Sequence, residues 1–184
     1  MAARANYRGW MLVVAVVVVV MTAEWGEGAE EGGAAVVKPK PYKMSKLSYY
    51  VQVVRGDPSM GILLKPLNSS YNHGMGFTTI FALNMTQTKA NTSQPLGVAR
   101  GYTVNTAYAS DTDYAGFETE IISYDDGEYK GTIHFQAMLD GSSAEVAILG
   151  GTGSFRGVRG WGTVTQTLLQ LPYVVYFHKL HFLR

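Results

Sequence analysis

The side chains that most often carry out chemistry in proteins are sparse in this sequence. It has no cysteine and four histidines, which are His73, His134, His178 and His181. The absence of cysteine excludes disulfides, thiolate nucleophiles and cysteine-bound metal centres. The histidines show no HExxH spacing, and His178 and His181 would point to opposite faces of a strand. We therefore predict neither a metal site nor a bound cofactor.

A glycine-rich segment, "ILGGTGSFRGVRGWGTVT", could in principle cradle a phosphate. It contains six glycines, but the G-x-G-x-x-G spacing that starts at Gly151 meets Arg156 in its sixth position, and Gly157 falls one residue too late. The Gly-Lys-Ser/Thr of a phosphate-binding loop is also missing. The following residues alternate like a strand, so no helix N-terminus is present to hold an anion. The pattern predicts a tight turn that leads into a curved strand.

The composition describes one ordinary domain with no electrostatic preference for nucleic acid. The chain has 184 residues and a formal net charge of +1. Nucleic-acid binding needs clustered Lys and Arg, so we exclude it. Tyrosine occurs 12 times and glycine 21 times, which is typical of a β-rich protein with tight turns.

The N-terminus predicts secretion. Residues 1–29 combine Arg4 and Arg8 with the apolar run "WMLVVAVVVVVM" and then small residues, so we expect a signal peptide that is cut between residues 23 and 29. The run is shorter than the about 20 residues that span a bilayer, so stable membrane insertion is not expected. Residues 30–43 resemble a flexible linker. Asn-x-Ser/Thr triplets predict glycosylation at Asn68, Asn84 and Asn91.

The rest of the chain, residues 44–184, is patterned as strands. Eight segments alternate with a period of two and are separated by turn sequences such as "DDGE", "LDGSS" and "GGTG". No apolar pattern with helical spacing persists for a dozen positions. We predict an all-β domain whose eight antiparallel strands close into a barrel, with a sandwich as the alternative. The last strand is apolar on both faces, so we expect a second copy of the chain to cover its outer face.

Several segments together resemble the plant dirigent proteins. The sequence "ILGGTGSFRGVRGWG" is similar to the family's Val-Val-Gly-Gly-Thr-Gly-x-Phe-x-x-Ala-Arg-Gly signature. "LSYYVQVV", "GMGFTTIFALN", "VARGYTV" and "DGEYKGTIHFQAM" resemble other family segments in the expected order. The similarity spans roughly Leu47 to Phe182.

This resemblance implies an eight-stranded antiparallel barrel of the dirigent and allene oxide cyclase type. It also implies secretion to the apoplast, or cell wall space, and a homo-oligomer, with a trimer favoured. The expected role is that of a non-oxidising guide protein in phenylpropanoid and lignan biosynthesis. An external laccase or peroxidase makes phenoxy radicals from monolignols, and the barrel orients them for regio- and stereoselective coupling.

The same resemblance suggests residues for a pocket inside the barrel. Arg159 is the candidate anchor, unless it neutralises Glu118 or Glu120. We place two sets of side chains toward the interior: Tyr50, Gln52 and Val54 on the first strand, and Phe155, Arg159 and Trp161 on the seventh. With two weaker candidates, the predicted substrate-binding residues are Tyr50, Gln52, Asn84, Tyr102, Ser154, Phe155 and Trp161.

The sequence departs from the family at its acidic positions. On the alignment by motif, Val51 stands at the His position of the first strand and Gln52 stands at the Asp position, while Ser154 replaces an acid after Gly-Gly-Thr-Gly. Those carboxylates are associated with proton transfer to or from the coupled quinone methide, and Gln cannot act as a carboxylate base. Whether the chain is an enzyme stays open for this reason.

Two further functions therefore remain as alternatives. One is a non-catalytic wall-space or defence-related barrel that binds a carbohydrate or phenolic ligand. The other is a cyclase of the allene oxide cyclase type, which the Val-rich leader disfavours because transit peptides are Ser- and Arg-rich and amphipathic.

Overall fold

The computed structural model describes residues 39–56, 60–64, 74–107 and 115–183. The predicted signal peptide, residues 1–29, lies outside this part of the chain. The described strands are β1 (Lys46–Val54), β2 (Met60–Leu64), β3 (Thr78–Thr86), β4 (Pro95–Asn105), β5 (Gly116–Asp125), β6 (Lys130–Leu139), β7 (Ser143–Gly151), β8 (Arg159–Gln170) and β9 (Tyr173–Leu183). A short 3₁₀ helix, η1 (Gly153–Phe155), precedes β8. In the described residues, no helix has the length and apolar character to cross a membrane.

The sheet closes on itself. Its strands follow the order β1-β9-β8-β7-β6-β5-β4-β3-β2, and β1 also pairs with β3. All pairings are antiparallel, and β1 meets β3 through pairs such as Gln52↔Asn84. The result is a closed eight-stranded antiparallel barrel made of β1 and β3 to β9, which confirms the predicted fold. The eight predicted segments correspond to these eight strands.

Strand β2 was not predicted. It pairs with the first half of β3, from Met60↔Phe81 to Leu64↔Thr78, while β1 pairs with the second half of β3. Both strands therefore use the same edge of β3. With only five residues, β2 is too short to show a period in the sequence.

Local irregularities let the sheet curve into a barrel. The register shifts between Met85 and Thr86, between His134 and Phe135, and between Gln166 and Leu168. Such bulges bend a strand and increase its twist, which a small closed barrel requires.

An aromatic cluster fills one end of the barrel, where β1 begins and β9 ends. Phe155 of η1 is fully buried and packs against Tyr124 and Phe182, with ring centroids 5.5 and 6.2 Å away. Tyr42 adds its ring 4.9 Å from Phe155, and its N–H donates to the Ser154 carbonyl oxygen at 2.7 Å. We call this the plugged end. The packed unit therefore begins before residue 44, within the segment predicted to be a flexible linker.

Candidate functional site

Burial identifies the inner face of each strand. On β1, Leu47, Tyr49, Val51 and Val53 are at most 7% exposed, whereas the alternate residues are partly or fully exposed. On β9 the buried residues of the inner face are Val174, His178, Leu180 and Phe182, and Val175 on the opposite face is buried as well. The sequence pattern leaves open which face of the last strand fills the barrel, and in the structure it is the face that carries Val174 and Leu180. The opposite face carries Tyr173 and Leu183, which are 51% and 64% exposed.

The first predicted pocket set lies on the outer wall. The ring of Tyr50 packs against Phe177, with centroids 4.9 Å apart. The side-chain amide of Gln52 donates to the Thr86 hydroxyl at 2.8 Å and to the Lys89 carbonyl oxygen at 3.3 Å. Gln52 therefore pins β1 to β3 and the turn after it. The predicted inward orientation of Tyr50 and Gln52 is wrong, because the inner positions of β1 are taken by Tyr49, Val51 and Val53.

The second predicted set is divided. Arg159 is exposed, and Trp161 is 43% exposed and stacks on His181 with ring centroids 4.2 Å apart. Gly160 and Gly162 take the inner positions of β8, so the inward orientation predicted for Arg159 and Trp161 is also wrong. Among the described residues, no ion pair joins Arg159 to Glu118 or Glu120, so the alternative role considered for Arg159 is not realised either.

Ser154 and Phe155 belong to the plugged end. The alternation of "SFRGVRGWGTVTQTLL" predicts that the seventh strand begins at Ser154, but η1 occupies the start of this stretch and β8 begins only at Arg159. The Ser154 hydroxyl accepts a hydrogen bond from the Lys130 backbone N–H at 3.0 Å, and both η1 side chains are buried. In this structure these two residues anchor the plug.

The remaining sequence candidates lie on the outside of the barrel. Asn84 is exposed on β3, and Tyr102 on β4 is 41% exposed. Asn91 is exposed in the turn between β3 and β4, and Asn68 falls outside the described residues. Two shallow depressions of about 330 and 220 Å³ also lie on the outer wall, and neither contains an inward-facing polar side chain.

Two carboxyl groups that sequence reasoning did not place in the pocket face the interior from β5. Glu118 and Glu120 are two residues apart on one strand, so they point to the same side at a spacing of about 7 Å. Glu118 is partly exposed and accepts a hydrogen bond from the Thr103 hydroxyl at 2.8 Å. Glu120 is 4% exposed, and its Oε1 atom has no hydrogen-bond partner.

Burial shapes the protonation of this pair. Desolvation raises the pKa of Glu118, although the hydrogen bond from Thr103 opposes the shift. Desolvation and the neighbouring Glu118 charge raise the pKa of Glu120 well above its usual range. Ionising both of these neighbouring carboxyls costs free energy because their charges repel, so the loss of the first proton is a property of the pair and not of one residue. Glu118 is the member that solvent can stabilise as an anion.

Aromatic and polar side chains surround the pair. The Tyr49 hydroxyl lies 3.2 Å from His178 Nδ1, and burial lowers the pKa of His178 to about 3, so this imidazole is neutral. The ring of Phe135, the cross-strand neighbour of Glu120, lies 5.9 Å from His178. On the other side Gly101 faces Glu120, and the Phe81 ring lies so close above Gly101 that a Cβ there would come within 2.9 Å of it.

A sequence signal for the pair exists in retrospect. In "GFETEIISY" the two glutamates lie on the same face of the strand as Ile122 and Tyr124, which are both buried. The other face carries Phe117 and Ile121, so the sequence pattern fits either face of β5 as the inner one. Only the closed barrel decides between them.

Comparison with known proteins now identifies the family. The family model described as dirigent-like protein matches residues 44–180, which is most of the chain. The chain belongs to the dirigent-like protein family. No curated protein matches the sequence.

Solved structures agree with this fold. Two pterocarpan synthase dirigent proteins resemble the chain with TM-scores of 0.64 and 0.61, each at 22% identity. The matches cover 78% and 79% of this chain, and 93% and 99% of those proteins. A pyocyanin demethylase matches with a TM-score of 0.53 and 15% identity, over 75% of this chain and 99% of its own. At these identities the likeness concerns the fold.

The dirigent-like barrel therefore presents one chemically distinctive place among its described residues. Glu118 can accept a proton or bind a positive group, and the buried Glu120 can hold a proton beneath it. The rings of Phe81, Phe135 and Tyr49 supply an apolar wall suited to an aromatic ligand. We call Glu118, Glu120, Thr103 and these rings the interior site.

Proposed function

We propose that this protein is a secreted dirigent-like guide that orients monolignol-derived phenoxy radicals for regio- and stereoselective coupling. It does not oxidise the phenol itself, and an external laccase or peroxidase supplies the radicals. Joining two radicals has a low barrier, so the protein contributes mainly by fixing their relative orientation. The observation that carries this proposal is the interior site, where aromatic rings border a carboxyl pair that is reachable at Glu118.

The interior site also bears on the missing family acids. Gln52 lies on the outer wall and Ser154 is buried at the plugged end, so neither stands where a bound radical pair would meet it. Among the described strand residues, Glu118 and Glu120 are the acids that face inward. We assign to them the polar contacts with the phenol.

The proposal places the protein in the apoplast as a homo-oligomer, with a trimer favoured. The leader-like residues 1–29 and the exposed Asn91 sequon support secretion and glycosylation. Exposed apolar side chains on the outer wall support assembly, since monomers seldom leave such groups uncovered. They include Trp161, Tyr173 and Leu183, which are 43%, 51% and 64% exposed.

Chiral analysis of coniferyl alcohol dimers tests the coupling role. An external laccase oxidises the alcohol with and without a stoichiometric amount of the purified protein, and heat-denatured protein serves as the control. We expect an enantiomeric excess with the native protein alone. Racemic products in all three reactions would remove coniferyl alcohol coupling from the account, and binding to wall glycans would then favour the carbohydrate-binding alternative.

A further inference from the structure

The interior site lacks a positive charge to match its carboxyl pair. The basic residues of the barrel strands in the described part of the chain lie on the outer wall, where they are exposed: Lys46, Arg100, Lys130, Arg159 and Lys179. His178 faces inward but is held neutral by burial, which lowers its pKa to about 3. Once the pair loses one proton, it therefore carries one negative charge with no counter-charge from these strands.

A second observation concerns hydrogen bonding. Glu120 is only 4% exposed, and its Oε1 atom has no hydrogen-bond partner. Buried polar atoms in proteins nearly always have such a partner. The Thr103 hydroxyl donates its hydrogen bond to Glu118 and not to Glu120. The site thus has an acceptor left over as well as an unmatched charge. A ligand group with several N–H donors and a positive charge would supply both.

The aromatic side chains around the carboxyl pair favour a ligand whose positively charged group is attached to an aromatic ring. Phe81, Phe135 and Tyr49 border the pair, and aromatic faces attract cations as well as other rings. The titratable groups that face Glu120 are Tyr49 on β1 and Glu118 on its own strand. Tyr49 remains neutral because burial raises its pKa well above the usual range. Neither Tyr49 nor Glu118 can carry a positive charge, so neither repels a cationic ligand.

We propose that the interior site also binds phenols that carry a protonated amine, with Glu118 as the ion-pair partner of the ammonium group. The ammonium pairs with the charge that Glu118 carries after the pair has lost its first proton, and Glu120 keeps its own proton. No covalent bond is made or broken. The interior must admit a phenol for this to occur, so the inference rests on the proposed function in that respect.

Calorimetry with three matched phenols tests the inference. Tyramine carries an ammonium group, tyrosol carries a neutral hydroxyl in the same place, and 3-(4-hydroxyphenyl)propanoate carries a carboxylate. We expect tyramine to bind wild-type protein at least about tenfold more tightly than tyrosol, as for a partly desolvated charge pair. The propanoate should bind most weakly. Titration in two buffers with different ionisation heats measures any proton exchange on binding, and equal binding heats in the two buffers are expected because Glu120 keeps its proton.

The variants locate the charge that is recognised. Glu118→Gln should remove the preference for tyramine, whereas Glu145→Gln deletes the same charge from the outer wall and should leave the preference unchanged. Equal affinity of wild-type protein for tyrosol and tyramine would overturn the cation site and leave phenol binding intact. Failure of both to bind would overturn the site together with the proposed function. A tyramine preference that survives in Glu118→Gln would overturn the assignment to Glu118.

Discussion

Glu120 is a carboxyl group in a place where a charge is poorly tolerated. It lies between Gly101 and Phe135, has one oxygen without a partner, and has a second carboxyl two residues away. Its raised pKa keeps it protonated over a range in which an unfolded chain would release the proton. A residue of this kind lowers stability at neutral pH, and strongly perturbed carboxyls of this sort are typical of functional sites.

Glu120→Gln should become more stable relative to wild type as the pH rises. The folded-state pKa of Glu120 is raised, so its stabilising effect is complete below the unfolded pKa of about 4.3 and is lost as the pH rises toward the folded value. The difference in free energy of unfolding should grow by at most about 1.4 kcal/mol per pH unit in that window. Urea unfolding at several pH values measures it.

His178 is present in both proteins, so its own acid sensitivity cancels in the difference. The matched control is Glu145→Gln, whose carboxyl is exposed on the outer wall and whose difference from wild type should stay flat. A Glu120→Gln difference that does not change between pH 4.5 and 7 would show that the carboxyl is not held in its neutral form.

At the residue scale the sequence could identify chemistry-bearing side chains but not their direction. On β1 both faces are apolar, with Tyr49 and Val51 on one and Tyr50 and Val54 on the other, so hydrophobicity gives no preference. A shift of one position exchanges the faces of a strand. For that reason Gln52 was placed inside and Glu120 was not placed in the pocket.

The turn between β7 and β8 shows how an element controls what its flanking strands present. Gly153 starts η1 with a φ of +59°, and a Cβ there would lie 2.4 Å from the Lys130 carbonyl oxygen. The turn is thereby pressed against β6, which seats Phe155 in the plug. Because η1 interrupts the strand alternation, Arg159 and Trp161 do not lie on the same side of the barrel wall as Phe155.

Gly153→Ala should destabilise the barrel by about 2 kcal/mol or more, because a left-handed backbone disfavours a side chain and the backbone oxygen of Lys130 cannot yield. The matched control is Gly141→Ala in the turn between β6 and β7, where a Cβ would meet no atom within 4 Å. Thermal unfolding of both variants measures the contrast. Equal melting temperatures for the two would contradict the assigned role of the turn.

The sequence predicted the elements well where turn chemistry and alternation agree. "DDGE" at the end of β5 and "GGTG" at the end of β7 separate strands whose period is clear, and the pattern predicts all eight barrel strands. β2 was missed because "MGILL" is short and uniformly apolar. The start of β8 was misplaced because a 3₁₀ turn looks like strand residues when only alternation is considered.

At the scale of the whole molecule, the chain closes one end of its barrel with residues that precede the first strand. Tyr42 contacts Tyr129, Phe155 and Phe182 with ring centroids 4.8, 4.9 and 5.4 Å away. The composition of residues 30–43 predicted a tether, since Pro, Gly and Lys are frequent there. Tyr42 docks the end of this segment on the aromatic cluster, and Lys40 adds an ion pair to Glu128.

Tyr42→Ala should lower the free energy of unfolding by about 2–3 kcal/mol through loss of these ring contacts. Tyr42→Phe keeps the ring and removes only the hydrogen bond that the hydroxyl donates to the Lys46 carbonyl oxygen at 2.7 Å, so its cost should be about 1 kcal/mol or less. Denaturant unfolding compares the two variants. An unchanged midpoint for Tyr42→Ala would mean that the segment does not stabilise the barrel.

The interior site, and not the outer wall, is the place where we propose that phenols are oriented. The most direct test is the enantiomeric excess of laccase-generated coniferyl alcohol dimers in the presence of wild-type protein, Glu118→Gln and Arg159→Ala. We predict that wild-type protein and Arg159→Ala give the same excess and that Glu118→Gln loses most of it. An excess that disappears in Arg159→Ala and persists in Glu118→Gln would contradict the account and move the site to the outer wall.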